Sequence, residues 1–504
     1  MNPEIIIGPP GTGKTTALLD LVEEELGRGV PSEQIAFVSF TRRAAIEARE
    51  RAREKFGLEK ENFPWFRTLH SLCFRALGMT SADVLEGKKL SEFSDWIGVK
   101  ITTRGQDDDD ARFYYGSEKG DRIMQMEHKA RIRGVSLREQ YDEDDDNLSW
   151  WEVERVARGL AEYKVRHSLY DFSDMLDMFL RQDWTPAIEV LLVDEAQDLS
   201  MVQWRVVEKL AKKCRRVVIA GDDDQAIYNW AGAASDYFVD MPGDVRVLGK
   251  SYRVPRRVQR VADSVISRVR HRRPKMWSPR DDEGEVRNVD LRDIDFTGPS
   301  ILVLSRNVMH LNAVQKRLRS AGYMYERHGH PSIPDRRRHQ LVTWERLLRK
   351  GLPAPVSAIR RIYEDMSSGV GVARGYKELK MFPDDAVLTM SDLVRDGGLL
   401  RQDVWFEALD RVPAVERQYI QACVRRGEKM SAAPRIRLST IHGSKGGEAD
   451  EVVLLTDMAV RTHQEADTDP DSESRVWYVA ATRARNCLTI VRPSTERHFT
   501  LSAD

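Results

Sequence analysis

The stretch Gly8-Pro9-Pro10-Gly11-Thr12-Gly13-Lys14-Thr15 follows directly on the apolar run Ile5-Ile6-Ile7 and leads into Thr16-Ala17-Leu18-Leu19-Asp20-Leu21-Val22, which has helical spacing. A buried strand, a glycine loop and a helix in that order make a cradle for phosphate. Backbone N–H groups can close around an anion at Gly8, Gly11 and Gly13 because no Cβ obstructs the approach. Lys14 adds a point charge for the outer phosphates, Thr15 offers a hydroxyl to Mg²⁺, and the helix aims its positive end at the anion. The loop therefore commits the chain to an α/β layer.

The same rhythm continues. Gln34 to Phe40 reads as a second short strand, followed from Thr41-Arg42-Arg43-Ala44-Ala45 by a charged helix to about Phe56, and Arg67 to Arg75 as a strand end entering a helix. Ile188 to Val193 is a buried strand that delivers Asp194-Glu195-Ala196-Gln197-Asp198, and Arg216 to Ala220 repeats the pattern before Gly221-Asp222-Asp223-Asp224-Gln225. Sheets of this kind bind ligands at their carboxyl edge, where these polar groups gather. Beyond Leu248 a second α/β set begins, with strands at Ser300 to Ser305, Glu451 to Leu455 and Cys487 to Val491 and a helix from Asn307 to Ala321. Two stretches break the alternation with helical and irregular text. The expected organisation is a first α/β domain over 1–75 and 167–249 with an insertion at 76–166, and a second over 250–330 and 434–504 with an insertion at 331–433.

At 504 residues the chain is too long for one core. Its net charge of −1 excludes a general polycation, so a nucleic-acid partner would have to be met by locally gathered basic groups. Cys73, Cys214, Cys423 and Cys487 are scattered without metal-ligand spacing, which fits a reducing compartment. No apolar run reaches membrane-span length. With the phosphate loop almost at Met1, the expectation is a cytoplasmic protein without a leader, and with an end soon after Val491, one without an appended nuclease domain. The acidic runs Asp107 to Asp110 and Asp142 to Asp146 read as solvated loops, because unbroken aspartates repel one another and lack mixed ligand geometry.

Asp194 and Glu195 complement the loop: one carboxylate can hold Mg²⁺ through its water shell while its neighbour polarises the attacking water. Phosphoryl transfer also needs cations and a water-orienting amide. Gln225 suits the amide role, and Arg253 and Arg483, both placed in the second domain by this reading, suit the cation role. Hydrolysis would then depend on closure of the two domains over the nucleotide. Trp230, flanked by Asn229, Ala231 and Gly232, reads as an exposed stacking platform. The basic segments Arg253 to Lys275 and Arg336 to Lys350 offer either phosphate contacts or merely solvated faces.

In order, GPPGTGKT, SFTRRAA, TLHSLCFR, VDEAQD, GDDDQAIYNWAGA, SYR, TIHGSKGGEADEVVL and VWYVAATRA resemble the motifs of superfamily 1 helicases of the UvrD/Rep-like branch. The resemblance implies two RecA-like P-loop NTPase domains in tandem, each with a mainly helical insertion, and ATP with Mg²⁺ as nucleotide and cofactor. It implies an ATP site made by Gly8, Pro9, Pro10, Gly11, Thr12, Gly13, Lys14, Thr15, Thr16, Tyr252, Arg253, Glu448 and Arg483. Within it, Thr15 and Asp194 would hold the metal, Glu195 would be the base, Gln225 the γ-phosphate sensor and the two arginines the fingers. Tyr252 would stack on adenine and Glu448 contact the ribose. Phe40, Thr41, His70, Tyr228, Trp230, Thr440 and His442 would grip the strand. Implied partners are single-stranded DNA, duplex junctions and proteins of replication or repair, and the implied polarity is 3′ to 5′.

Two departures from the family pattern stand out. The glutamine that usually reads adenine upstream of the first strand is absent, and Thr16 replaces a common arginine, so GTP is expected to be hydrolysed nearly as well as ATP. Both insertions are short for the branch, which points to a compact unwinder. Competing readings are a translocase that strips proteins from DNA with little unwinding, and a nucleotide-switched binding module; RNA is a less favoured track.

Overall fold

The computed structural model describes residues 3–102, 118–144 and 147–501. The acidic run Asp107 to Asp110 and the end of the run Asp142 to Asp146 lie outside the described residues, as do Met1 and Asn2.

Strands β1 (Glu4–Ile7), β2 (Ile35–Ser39), β3 (Phe66–Thr68), β4 (Val190–Asp194), β5 (Arg216–Gly221) and β6 (Asp244–Val247) form one sheet in the order β3-β2-β4-β5-β1-β6. Every neighbouring pair is parallel. β2 and β4 are buried along their whole length, as expected of strands covered on both faces by crossover helices. One of those helices, Lys14–Gly27, sends Leu18, Leu19 and Val22 into a core shared with Ile6, Phe37, Leu192 and Val218. The register pairs Ile7 with Gly221 and Ser39 with Asp194, so the chain ends that carry polar groups finish on one edge.

Between β3 and β4 the helices Lys88–Ile97, Lys119–Arg133, Leu137–Glu143 and Trp150–His167 enclose a separate core that includes Phe93, Ile123, Val153, Val156 and Leu160. These helices lie within the interval 76–166 read as the first insertion.

The second sheet contains β7 (Glu285–Val289), β8 (Ile301–Ser305), β9 (Tyr325–Arg327) and β10 (His330–Pro331). Past a short antiparallel pair, β11 (Ala354–Pro355) and β12 (Val387–Leu388), it is completed by β13 (Ile436–Thr440), β14 (Ala449–Leu455) and β15 (Ala484–Val491). Its order is β10-β9-β13-β8-β14-β15-β7, parallel except at the β9–β10 hairpin. The helices Asp335–Lys350, Val356–Glu364 and Ala414–Arg426 lie within the interval read as the second insertion. The architecture is therefore α/β, with two mainly parallel sheets flanked by helices.

Met1–Gly284 with Glu465–Thr482 form one compact unit, and Glu285–Gln464 with Arg483–Leu501 the other. The sequence pattern puts the break at 249/250 and gives all of 434–504 to the second domain; contacts shift both 250–284 and 465–482 to the first unit. The cause is packing of the helix Arg256–Ile266 against the helix Pro470–Ala481. It is reinforced by a hydrogen bond from the Arg270 N–H to Asp471 at 3.0 Å and one from Arg475 to the His271 carbonyl at 2.7 Å. Arg253 accordingly lies in the first compact unit, while Arg483 opens the last segment of the second.

Candidate nucleotide site and nucleic-acid interface

The phosphate loop is anchored at its start by the Gly8 N–H, which donates to the Gly221 carbonyl at 3.0 Å. Gly11 and Gly13 adopt φ of +72° and +81°, a region that costs other residues strain. A Cβ on Gly8 would lie 1.9 Å from Cγ of Lys14, so the lysine side chain passes directly over the loop's first residue. Gly13 precedes the helix Lys14–Gly27, whose first N–H groups are the natural anion ligands of such a turn.

Lys14 and Thr15 meet the end of β4. The Lys14 ammonium lies 3.3 Å from Glu195, and the Thr15 hydroxyl donates to Asp194 at 3.1 Å. Burial works against the lysine charge, but Glu195, Asp194 and Asp222 outweigh it and hold the pKa above its ordinary value. Burial, followed by repulsion from Glu195, pushes the Asp194 carboxyl up to about 6. Glu195 has φ of +54°, an uncommon conformation for a residue with a side chain and one found most often where function over-determines the backbone. Thr15 and Asp194 supply hard oxygen donors at hydrogen-bond separation. Mg²⁺ typically takes one or two carboxylates together with waters and substrate phosphate, so this donor set fits it. Among the described residues no group of three or more His, Cys, Asp and Glu side chains forms a self-sufficient metal cage.

Two residues that the sequence reading left without a role bind this edge together. Gln197 donates to Glu195 at 2.6 Å and accepts from the Asp222 N–H at 2.9 Å, linking the ends of β4 and β5. Asp222 in turn accepts from the Gln225 amide at 2.7 Å. Their strand-end positions were the available signal: Gln197 sits within VDEAQD and Asp222 within GDDDQ.

The segment Ser251-Tyr252-Arg253 lies on the loop. Ser251 donates to the Pro10 carbonyl at 2.7 Å, and the Tyr252 N–H donates to the Gly11 carbonyl at 2.8 Å. The Tyr252 side chain is exposed. Lys14, Thr15, Asp194, Glu195, Gln225, Tyr252 and Arg253 thus all belong to the first unit. In the second unit, the buried Arg483 donates to the Gly447 carbonyl at 3.4 Å, and Glu448 is ion-paired with Arg485.

The strand-gripping candidates divide by exposure. Phe40 and Tyr228 are buried against each other, ring centroids 5.4 Å apart, and His70 is buried with its ring edge-on to Phe172. Thr41 caps the helix Arg42–Phe56 by accepting from the Ala44 N–H at 3.1 Å. Trp230 is 40 % exposed on the turn Asn229–Ala231. Thr440 ends β13 and His442 opens the next turn, both in the second unit. The basic segment Arg253 to Lys275 is not a uniform phosphate track, because Lys275 is fully buried among Asp222, Asp223 and Asp224 and Arg272 pairs with Asp224. Within Arg336 to Lys350, Arg337 is likewise committed, to Asp365 and Glu416.

The family model for the UvrD/REP helicase N-terminal domain matches residues 1–246, and that for the UvrD-like helicase C-terminal domain matches residues 420–495. The chain belongs to the UvrD/Rep-like helicase family. Members of this family similar to it include "ATP-dependent DNA helicase PcrA" of Bacillus subtilis (strain 168), 23 % identical over 67 % of this chain and 50 % of the relative. Another protein of that name, from Staphylococcus aureus (strain Mu50 / ATCC 700699), is 24 % identical over 55 % of this chain and 40 % of its own length. A "Probable DNA helicase" of Mycoplasma pneumoniae (strain ATCC 29342 / M129 / Subtype 1) is 25 % identical over 54 % of each chain. The chain spans about half the length of the curated relatives it matches. UvrD/Rep-like domains are tandem RecA-like folds, in agreement with the two parallel-dominated sheets. No helix among the described residues is long and apolar enough to cross a membrane.

Proposed function

We propose that this protein is an ATP- and Mg²⁺-dependent motor that moves along single-stranded DNA and separates duplex ahead of it, with 3′-to-5′ polarity. The observation that carries this reading is the meeting of Lys14 with Glu195 and of Thr15 with Asp194 at the edge where the glycine loop ends. A triphosphate entering the loop competes with Glu195 for the Lys14 ammonium, and release from that ion pair leaves the carboxylate able to accept a proton from water. Mg²⁺ supplies charge neutralisation on the phosphates when held by Thr15 and Asp194. Gln225, fixed through Asp222, orients the attacking water. Arg253 and Arg483 neutralise charge that develops on the transferred group, a role that contributes roughly 10³ to 10⁵ in rate where it operates.

Tyr252 stacks on the base and Glu448 contacts the ribose. Trp230 stacks on exposed DNA bases, Phe40, Thr41, His70 and Tyr228 also grip the strand, and Thr440 and His442 hold it from the second unit. Single-stranded DNA, its junctions with duplex, and replication or repair proteins are the proposed partners.

The test is unwinding of partial duplexes with a 3′ or a 5′ single-stranded tail, paired with DNA-stimulated phosphate release by the parent and by Glu195→Gln. The motor reading expects unwinding from the 3′ tail only and a loss of phosphate release. Equal release by the two proteins would leave only a nucleotide-switched binder. Displacement of a bound roadblock without strand separation would favour a translocase.

A further inference from the structure

Lys275 is a fully buried lysine outside every motif of the proposed nucleotide site. Its ammonium lies 3.0 Å from Oδ1 of Asp222 and 3.1 Å from Oδ2 of Asp224, and it is also hydrogen-bonded to Asp223. Three consecutive carboxylates, all with no side-chain exposure, therefore converge on one cation at the carboxyl end of β5. The same segment adds Arg272, whose Nε donates to Asp224 at 2.8 Å, and the Arg273 N–H, which donates to Asp223 at 2.8 Å. Burial disfavours the Lys275 charge, yet the three aspartates raise its pKa overall, so the ammonium is permanent at physiological pH.

The division of labour on Asp222 gives this cluster its consequence. Lys275 takes Oδ1, and Oδ2 accepts from the Gln225 amide at 2.7 Å. An amide has a donor end and an acceptor end. With its NH₂ donated to Asp222, Gln225 has its carbonyl oxygen as the acceptor end. The Asp222 N–H is simultaneously held by Gln197, which donates to Glu195. A single buried cation thus holds the carboxylate that sets the polarity of Gln225.

We propose that Lys275 is a positioning residue for hydrolysis, orienting Asp222 so that the Gln225 amide is held with one fixed polarity. This rests on the reading that Glu195 and Gln225 serve phosphate hydrolysis. Lys275 touches neither nucleotide nor water in this scheme; it acts through Asp222.

Two variants test it in the full chain, assayed with saturating single-stranded DNA. Lys275→Met removes the charge at nearly constant length. Asp222→Asn keeps the shape, but Lys275 retains the amide oxygen of the new side chain and turns its NH₂ toward Gln225, which must then reverse its own amide. Each folded variant is expected to lose at least about tenfold in kcat for ATP while its affinity for a fluorescent ATP analogue stays within about twofold, the signature of an interaction made for the chemical step.

A folded variant that keeps the parent kcat overturns the proposal, and so does affinity that falls in step with kcat, since that marks general loosening of the loop. If Lys275→Met does not fold, because one guanidinium is left facing three buried carboxylates, Asp222→Asn decides alone. Glu195→Gln run in parallel separates the levels. Its retention of parental turnover defeats the hydrolysis reading itself, whereas its loss beside unaffected Lys275 and Asp222 variants defeats only the positioning role.

Discussion

Arg253 stands so close to Gly11 that a Cβ added to the glycine would come within 2.4 Å of the arginine's Cβ and 3.1 Å of its backbone nitrogen. Gly11 therefore serves two demands, a φ of +72° and the seating of the Ser251-Tyr252-Arg253 segment, whereas Gly13 at +81° has only the first, its added Cβ meeting nothing nearer than 3.9 Å. Left-handed backbone costs an alanine roughly 1–2 kcal/mol, about five- to thirtyfold in binding. Gly13→Ala should show about that loss in titrations with a fluorescent ATP analogue. Gly11→Ala should lose at least about tenfold more, because the segment beneath it must move as well.

Exposure separates the aromatic candidates for DNA binding. Trp230→Ala should weaken affinity for single-stranded DNA by about 1–3 kcal/mol with little change in melting temperature, as for loss of one stacking platform. Tyr228→Ala removes a buried ring packed on Phe40, and should lower stability by about 3–5 kcal/mol whatever it does to DNA. Fluorescence anisotropy with a labelled oligonucleotide, run beside thermal unfolding, distinguishes the two patterns.

His128 supplies a pH signature. Burial, aided by His70 and Arg131 against an opposing Asp171, lowers its pKa to about 4, and its Nδ1 lies 3.0 Å from the Ser173 hydroxyl. An unfolded histidine protonates near 6.5. Below that value the unfolded chain takes up the proton first, so this group's contribution is full above pH 6.5 and is lost as pH falls toward 4. Adjacent Glu127, pushed up to about 7 by burial and by Asp171, works in the opposite sense. The difference between parent and His128→Asn isolates the histidine. It should change by up to about 1.4 kcal/mol per pH unit in that window. NMR of labelled histidine should find the His128 ring neutral at pH 5.5.

Base selectivity follows from what surrounds Tyr252. Tyr252 is 74 % exposed beside the loop, and Thr16 is exposed as well. Stacking accepts any purine. Values of kcat/KM for ATP and GTP are expected within about threefold of each other, and Tyr252→Ala should lower both by similar factors through the lost stacking. A tenfold preference for ATP would show that another group reads the base.

The parts of the fold legible in the sequence were those built from buried apolar runs. β1, β2, β4, β5, β8 and β14 announce themselves this way, and the polar residues at the ends of β4 and β5 landed on one edge as read. The edge strands β6 (Asp-Val-Arg-Val) and β7 (Glu-Val-Arg-Asn-Val) escaped notice, since a strand exposed on one side carries charge and shows no apolar run. Lys275 escaped for a different reason: in a stretch rich in arginine nothing local marks one cation as buried, and its partners lie about fifty residues earlier. The division into compact units differs from the 249/250 break because the packing of the helix Arg256–Ile266 on the helix Pro470–Ala481 joins residues about two hundred positions apart.

The placement of β1 between β5 and β6 has a consequence for how the protein is made. β1 finds its two hydrogen-bonding neighbours only at Arg216–Gly221 and Asp244–Val247, about two hundred residues later in the chain. At synthesis rates of about 5–20 residues per second, Ile5-Ile6-Ile7 waits on the order of ten seconds or more without its final neighbours. The phosphate cradle, though encoded ahead of both neighbours of β1, can therefore take its final form only after each of them has been made.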